Sequence, residues 1–553
     1  MAFRAPKPSN LVNVRPVYGL DLVWAGATYR VATAPLDLTR ADGSVVFYND
    51  AMSDIDFIFE TERQGIQIGN SVPIALYLDG VDVAREVARG HRLEAATGSL
   101  FMVLVDRDTG VSKQTYLERF SLISGRLSRP VYADPSRAAG YLSFTLDDSP
   151  SDDSRTLIDE EFVVNPTTWA TAPDSSVGKV YPIIIGAPGD YQKADGTVAR
   201  TAGSPAYPLH PASGNVTKLL IAGHEVEATT VVVTGDGAAG GTVNVSQELD
   251  GRGNIVSTVD ISTPGSLDPT SAQYWVTWHS GGGLPNQNGS GLLEGLGDVC
   301  AWALQQTTMP VDIEKWIAEG GLLNRIKIAT YINQESLTPW SFVVRLLDEL
   351  MIEVRSGPLG LYPFGRVLSQ SMANSVTIIN EDADFEPIGA VTTETRVSEV
   401  INKVSIKYAL RGRTGDYKRS ITVSPERYAV EDDTEFYFSE FAVISANRWS
   451  TNPARPLIQS ETLSLPHIYD DSSAALIALE RVRALGLGYS SREYVADVRF
   501  GWLMIGDRFQ LVSPSLHRTF LVTVLSKAWD GSSWIFSLAL DEDPVRISSL
   551  KDY

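Results

Sequence analysis

A chain of 553 residues with 43 % apolar and 20 % charged side chains exceeds the size of a single core, so several domains are expected. With 46 basic against 67 acidic residues the net charge is -21, which disfavours an electrostatic grip on nucleic acid, because such affinity comes mainly from Lys and Arg on phosphates. One cysteine, Cys300, excludes an internal disulfide and a thiolate metal cluster. No apolar run reaches the roughly 18 residues of a spanning helix, and MAFRAPKPSNLVNVRP at the start lacks the apolar core of a secretory signal. A soluble protein made in a cytoplasm is expected.

Residues 1–30 read as an N-terminal arm. From 31 to 165 the segments FIFET, VPIALYLDG and SLFMVLVDRDTGVSKQTYLERFSLISG alternate or run apolar between Asp-Gly and Asp-Thr-Gly turns, which is hairpin chemistry and predicts a β-barrel domain. A strand from Tyr141 to Leu146 then enters an acidic, Ser-rich exit. The next domain, 166–292, is rich in Gly and Thr, with strands at KLLIAG, ATTVVVTGDG, GTVNVSQELD and AQYWVTWHS; GGGLPNQNGSG reads as a flexible linker.

After Gly291 the period changes to helical, and 293–372 is expected to be an α+β domain. Asp298 and Asp312 are candidate caps of two short helices, and Gly320 and Gly321 stop the second. Thr338 caps a third helix with Pro339 at its first position and an apolar face of Phe342, Val343, Leu346, Leu347 and Leu350. The remainder, 373–553, predicts a second β-barrel domain with one helix, capped by Ser472 or Ser473, with Leu476, Leu479 and Val482 inward. Near its end FGWLMIGDRFQLVSP predicts a strand through Trp502 and Met504, a turn at Gly506 and Asp507, and alternation resuming at Phe509 and Leu511. Asp530 and Gly531 turn the final hairpin. The fold class expected is mainly β with α+β portions, in several domains.

Chemistry is sparse. His91, His210, His224, His279, His467 and His517 lie far apart, and HExxH, CxxC, GxxxxGK and GxSxG are all absent from the sequence. Cys300, in an apolar helical pattern, reads as a buried small hydrophobe. Three acidic clusters are candidates for paired-carboxylate catalysis: Asp159 to Phe162, Asn380 to Glu386, and Val430 to Phe436. Each lies in a polar, loop-like context in which solvated turns are the simpler expectation. In YWVTWHS, Tyr274, Val276 and Trp278 face one side of a strand and Trp275 and Thr277 the other, a core stripe in preference to a sugar platform. No catalytic, cofactor-binding or metal-ligating residue is assigned, and no cofactor is expected.

The order of segments says more than any one of them. LERFSLISGRLSRPVYADPSRAAGYLSFTLDD (Leu117 to Asp148), GKVYPIIIG, KLLIAGHEVEATTVVVTGDG, LGDVCAWALQQTTMPVDIEKW, SFVVRLLDELMIEVRSGPLGLYPF, EVINKVSIKYA and LMIGDRFQLVS together resemble, in sequence order, the tail-tip and baseplate hub proteins of long-tailed bacteriophages. The resemblance runs roughly from Phe57 to Pro544. It implies tube-like β-barrel hub domains and a non-enzymatic homotrimer closing the distal end of the tail tube, located in the virion and assembled in the host cytoplasm. The implied partners are a distal tail protein, a tape-measure protein and tail fibre or spike proteins. Viral DNA would pass without specific binding, past an acidic lumen that repels phosphate, and the bacterial envelope would lie within contact. Only nine residues follow Pro544, so receptor binding is expected to fall to a separate fibre or spike. A distal-tail ring, a receptor-binding tail protein and a carbohydrate- or peptidoglycan-degrading enzyme are the alternatives.

Overall fold

A computed structural model describes residues 13–541 apart from 54–57, 62–70, 78–88, 133–140, 148–154, 193–197, 201–202, 211–217, 236–240, 262–273, 279–281, 290, 308, 318–321, 349, 358–359, 365–377, 394–396, 413, 427–433, 453, 487, 489, 504–506, 515–517 and 530–532. The chain is mainly β, in several bodies, and among the described residues its α-helices, all short, lie in the second half.

The first strands are β1 (Val14–Trp24), β2 (Ala27–Ala32), β3 (Leu36–Thr39), β4 (Val45–Asp50), β5 (Ile58–Thr61), β6 (Ser71–Tyr77), β7 (Thr97–Asp106), β8 (Phe120–Tyr132) and β9 (Tyr141–Asp147). All but β5 form an eight-stranded sheet in the order β3-β4-β2-β1-β7-β8-β9-β6. The expected N-terminal arm is therefore corrected: Val14–Trp24 is an interior strand, antiparallel to β2 on one side and β7 on the other. Its alternation was hidden because the strand is buried on both faces, with Val17 in one core and Tyr18, Leu20 and Leu22 in another.

A short strand β10 (Ile183–Ile185) and the hairpin β11 (Asp190–Gln192) and β12 (Val198–Arg200) lead into a closed barrel. Its strands are β13 (Ser204–Pro208), β14 (Lys218–Ala222), β15 (Thr230–Thr234), β16 (Gly241–Leu249), β17 (Ile255–Asp260) and β18 (Tyr274–Trp278), in the order β13-β14-β17-β16-β15-β18. Tyr274, Val276 and Trp278 fill its core, as the alternation predicts. The Trp278 indole N–H donates to Ser204 Oγ at 2.7 Å across the closing strand pair.

GGGLPNQNGSG is not a flexible linker. A Cβ on Gly282 would lie 1.8 Å from the Gly186 carbonyl oxygen, and one on Gly283 1.9 Å from that of Ile184. These glycines let two main chains touch, and Gly283 N donates to Gly186 O at 2.8 Å. Composition signals flexibility and close approach alike, which is why the sequence misleads here.

The α+β body contains α1 (Leu296–Gln305), α2 (Ile313–Trp316), α3 (Leu322–Arg325), β19 (Thr330–Ile332), α4 (Pro339–Asp348), β20 (Glu353–Gly357) and β21 (Gly360–Phe364). Asp312 caps α2, accepting from Lys315 N, and Thr338 Oγ1 accepts from Ser341 N at the start of α4. Asp298 does not cap α1: Gly295 holds that position, and Asp298 instead accepts from Asn286 Nδ2 at 3.0 Å. Gly320 and Gly321 lie outside the described residues.

The remaining elements are β22 (Ile378–Asn380), α5 (Glu381–Asp384), β23 (Phe385–Thr393), β24 (Lys403–Leu410), β25 (Tyr417–Ser424), β26 (Thr434–Phe438), α6 (Glu440–Arg448), β27 (Ser460–Ser464), α7 (Asp471–Gly486), β28 (Ser490–Ala496), β29 (Arg508–Ser513), β30 (Arg518–Trp529) and β31 (Trp534–Asp541). They do not form one barrel domain with one helix. A seven-stranded sheet includes β22-β29-β30-β31-β28-β23, and β5 from the N-terminal region pairs with β30. This sheet shares a continuous apolar core with the first one, joining Leu20, Leu100 and Leu146 to Phe385, Phe509 and Phe536. In sequence between β23 and β28, the mixed sheet β26-β25-β24-β27 with α6 and α7 packs into the core of α1 and α4. The missed helix α6 is capped by Ser439, which accepts from Ala442 N; its β-branched and aromatic residues gave only a weak helical signal. In α7 the cap is Asp470, accepting from Ser473 N, and not Ser472 or Ser473.

The segment FGWL is a turn and not a strand. A 3-10 turn, Val498–Phe500, is followed by Gly501 and Trp502 in a turn, and Met504 to Gly506 lie outside the described residues. Gly501 is wedged between the sheets, where a Cβ would meet Phe120 at 2.8 Å and Met102 at 3.1 Å. Asp530 and Gly531 also fall outside, although Trp529 and Trp534 pair on either side of them.

Candidate functional site

The three acidic clusters do not converge on one cleft among the described residues. Asp159, Glu160 and Glu161 sit on an exposed turn, with Glu161 3.9 Å from Arg252. In the second cluster Glu381 is buried beneath the seven-stranded sheet, pairs with Arg492 at 2.7 Å and accepts from the Ser513 hydroxyl. Asp384 pairs with Arg499 at 3.1 Å, Phe385 stacks in the aromatic core, and Glu386 is exposed. In the third, residues 430–433 lie outside the described set, while Glu435 accepts from Arg419 at 2.6 Å and from Tyr437 at 3.1 Å.

Arg419 belongs to a larger buried centre. It reaches Asp471 at 3.2 Å, and Tyr408 donates to the same carboxylate at 2.5 Å, so β24, β25, β26 and the first turn of α7 are joined by one network. Burial, with Asp471 beside it, pushes the Tyr408 phenol far above its ordinary range. A second centre surrounds Asp21 on β1, which accepts from Arg119 at 2.5 Å and from Tyr48 at 2.9 Å, with Arg30 at 3.4 Å. Arg119 also lies over the rings of Tyr116 and Phe101, 4.0 and 4.6 Å from their centroids. In both centres a carboxylate's lone pairs are occupied by donors from separate strands, which fixes strand positions and leaves no free base.

The histidines are dispersed. His91 is exposed just after a turn, His210 approaches Thr171 Oγ1 at 3.4 Å, and His279 and His517 lie outside the described residues. His224 Nε2 accepts from Ile184 N at 3.0 Å, tying the barrel to β10; burial pulls its pKa down to about 4. His467 is buried in the α+β core, and that burial, with Arg345 nearby, likewise lowers its pKa to about 4. Burial raises the Cys300 thiol well above its usual range, as expected of a core thiol. Among the described residues no group of three His, Cys, Asp or Glu side chains could hold a metal ion, and no helix is long and apolar enough to cross a membrane. An apolar notch lined by Leu322, Ile326, Leu350, Ile352, Leu476 and Ile477, with Glu480 and Arg481, offers few polar groups to a substrate.

No protein-family model matches the chain, and no curated protein does. Among solved structures it overlaps a tail protein from Neisseria meningitidis MC58 over 95 % of this chain and 97 % of that one, at 8 % identity and a TM-score of 0.34. The 43 kDa tail protein of prophage MuSo2 from Shewanella oneidensis is matched over 95 % of this chain and 100 % of that one, at 10 % identity and a TM-score of 0.35. For prophage tail protein gp18 from Listeria monocytogenes EGD-e the shares are 93 % and 97 %, with 8 % identity and a TM-score of 0.33. All three are described as tail proteins.

Proposed function

We propose that the chain is a structural, non-enzymatic protein of a bacteriophage tail, and within the tail the hub at its tip. In this role it forms a homotrimeric ring that closes the tail tube, joins a distal tail protein to fibre or spike proteins, and leaves a channel for the genome. The observation that carries the reading is the order in which hub-like segments fall along the sequence, from Leu117 to Ser513.

The architecture is compatible with that role. The first and last β segments build one body on a common core, and the barrel and the α+β body are inserted between them. Such a body, held by one shared core, offers large β surfaces to neighbouring copies. Buried carboxylates brace strands through ion pairs, at Asp21 and Glu381 in this body and at Asp471 in the mixed sheet. A net charge of -21 suits a wall past which DNA slides without sticking.

Reconstruction of tails assembled with this chain tests the proposal. Threefold density for it at the tip, beneath a tube-like ring, is the expected result. A sixfold ring or a peripheral position overturns the hub, and absence from the tail overturns the structural role altogether.

A further inference from the structure

We propose that the free edge of β27, beside Lys403 and Lys407, is a docking site for an extended acidic strand of a partner protein. β27 is the terminal strand of its sheet and runs parallel to β24. Two hydrogen bonds at the ends of this ladder set its phase: Lys403 N donates to Gln459 O at 3.1 Å, and Leu465 N donates to Lys407 O at 2.8 Å. With that phase, Glu461 and Leu463 turn their main-chain groups toward β24, and Ser460, Thr462 and Ser464 turn theirs away from it. Among the described residues nothing pairs with those outward amides and carbonyls. They are a ready template for one more strand.

The side chains say what that strand should carry. Glu461 is tied to Arg481 of α7 at 2.5 Å and Leu463 packs on the core, so both point to the helical side. Ser460, Thr462 and Ser464 are exposed on the opposite face, directly across from Lys403, Ser405 and Lys407. Lys418, Ser420 and Thr422 of β25 continue that face, so its strand residues on β24, β25 and β27 include lysines and hydroxyls but no carboxylate. In a chain of net charge -21 this is a local reversal of sign. Glu426 lies 4.0 Å from Lys403, whereas Lys407 is exposed and makes no ion pair among the described residues.

A strand added to β27 would run about 9–10 Å from β24, two strand spacings away, within reach of a long lysine side chain. Its residues opposite Ser460 and Ser464 would face Lys403 and Lys407. An extended segment with carboxylates at alternate positions satisfies both the backbone edge and the charge.

The test uses the full chain and two labelled ten-residue peptides, one alternating Glu with Val or Thr, the other with Lys in place of each Glu. Fluorescence anisotropy is expected to show the Glu peptide binding at least about tenfold more tightly than the Lys peptide, and less tightly as salt rises. Thr462→Pro deletes one outward amide without touching the ladder to β24 and is expected to weaken binding about tenfold. Lys407→Glu is expected to reverse the preference between the peptides, and decides the matter even where the proline variant fails to fold. No binding, equal binding of the two peptides, or undiminished binding by a folded Thr462→Pro protein overturns the proposal. Displacement of the Glu peptide by inorganic polyphosphate at equal charge also overturns it, by showing an anion site without strand pairing.

Discussion

The ammonium of Lys527 on β30 donates to the main-chain carbonyl of Gly501 at 2.7 Å, and the same nitrogen lies 4.3 Å from the centroid of the Trp534 ring. A buried lysine thus holds the turn that wedges between the two large sheets. Lys527→Met keeps the length of the side chain and removes the donor, leaving a buried carbonyl unpaired. A loss of about 1–3 kcal/mol is expected in urea unfolding; an unchanged midpoint would show that the turn is held by packing alone.

Glu381 and Arg492 form the ion pair that an acidic cluster in a loop would not suggest. Because Glu381 is buried, Glu381→Leu strands a guanidinium and is expected to cost about 3–5 kcal/mol. Asp159→Asn and Glu160→Gln, on an exposed turn, should stay within about 0.5 kcal/mol of the parent. If the chain serves as proposed, infectivity follows stability and not the carboxylate count. A large infectivity loss from Asp159→Asn with a fully stable, assembled protein would point to chemistry instead.

Gly283 permits the close approach of main chain at Ile184. Gly283→Ala places a methyl group into backbone, which cannot give as a flexible side chain does, and a destabilisation of about 1–3 kcal/mol or more is expected. Gly241→Ala is the control, since nothing lies within 4 Å of its Cβ position. Thermal melting of the two variants separates a tight junction from a linker; equal midpoints would restore the linker reading.

His467 has a pKa lowered to about 4 by burial, against roughly 6.5 in an unfolded chain. Between these values the unfolded state binds more protons than the folded one. Stability from this group is therefore complete above about pH 6.5 and is lost as the pH falls toward 4, on the order of 3 kcal/mol in all. Measured from pH 7 to pH 4, His467→Gln should show a shallower decline than the parent protein. Identical slopes would remove His467 from the acid response.

Local periodicity revealed strands such as β7, β14 and β15, the apolar face of α4 and the core stripe Tyr274, Val276 and Trp278, because each is decided by neighbours two to four residues away. It did not reveal which strands share a core. The pairing of β5 with β30, and of Leu20 with Phe536 in one apolar cluster, depends on contacts across most of the chain. The same limit applies to the polar centres. Asp21 and Arg119 are individually unremarkable in the sequence, and only the sheet brings them to 2.5 Å. For Gly282 and Gly283 the difficulty was chemical, since a residue without Cβ serves a loose tether and a tight junction equally.

The shared core also sets a timetable for synthesis. β9 ends at Asp147, whereas the partner sheet's later strands begin at Ser490, so the apolar face carrying Leu20, Leu100 and Leu146 leaves the ribosome tens of seconds before its cover exists, at typical elongation rates. During that interval the barrel and the α+β body can close on their own contacts while the first sheet waits half-finished. The nascent chain therefore carries a sticky surface for most of its translation, so shielding of that face during synthesis is a requirement separate from the contacts of the finished molecule.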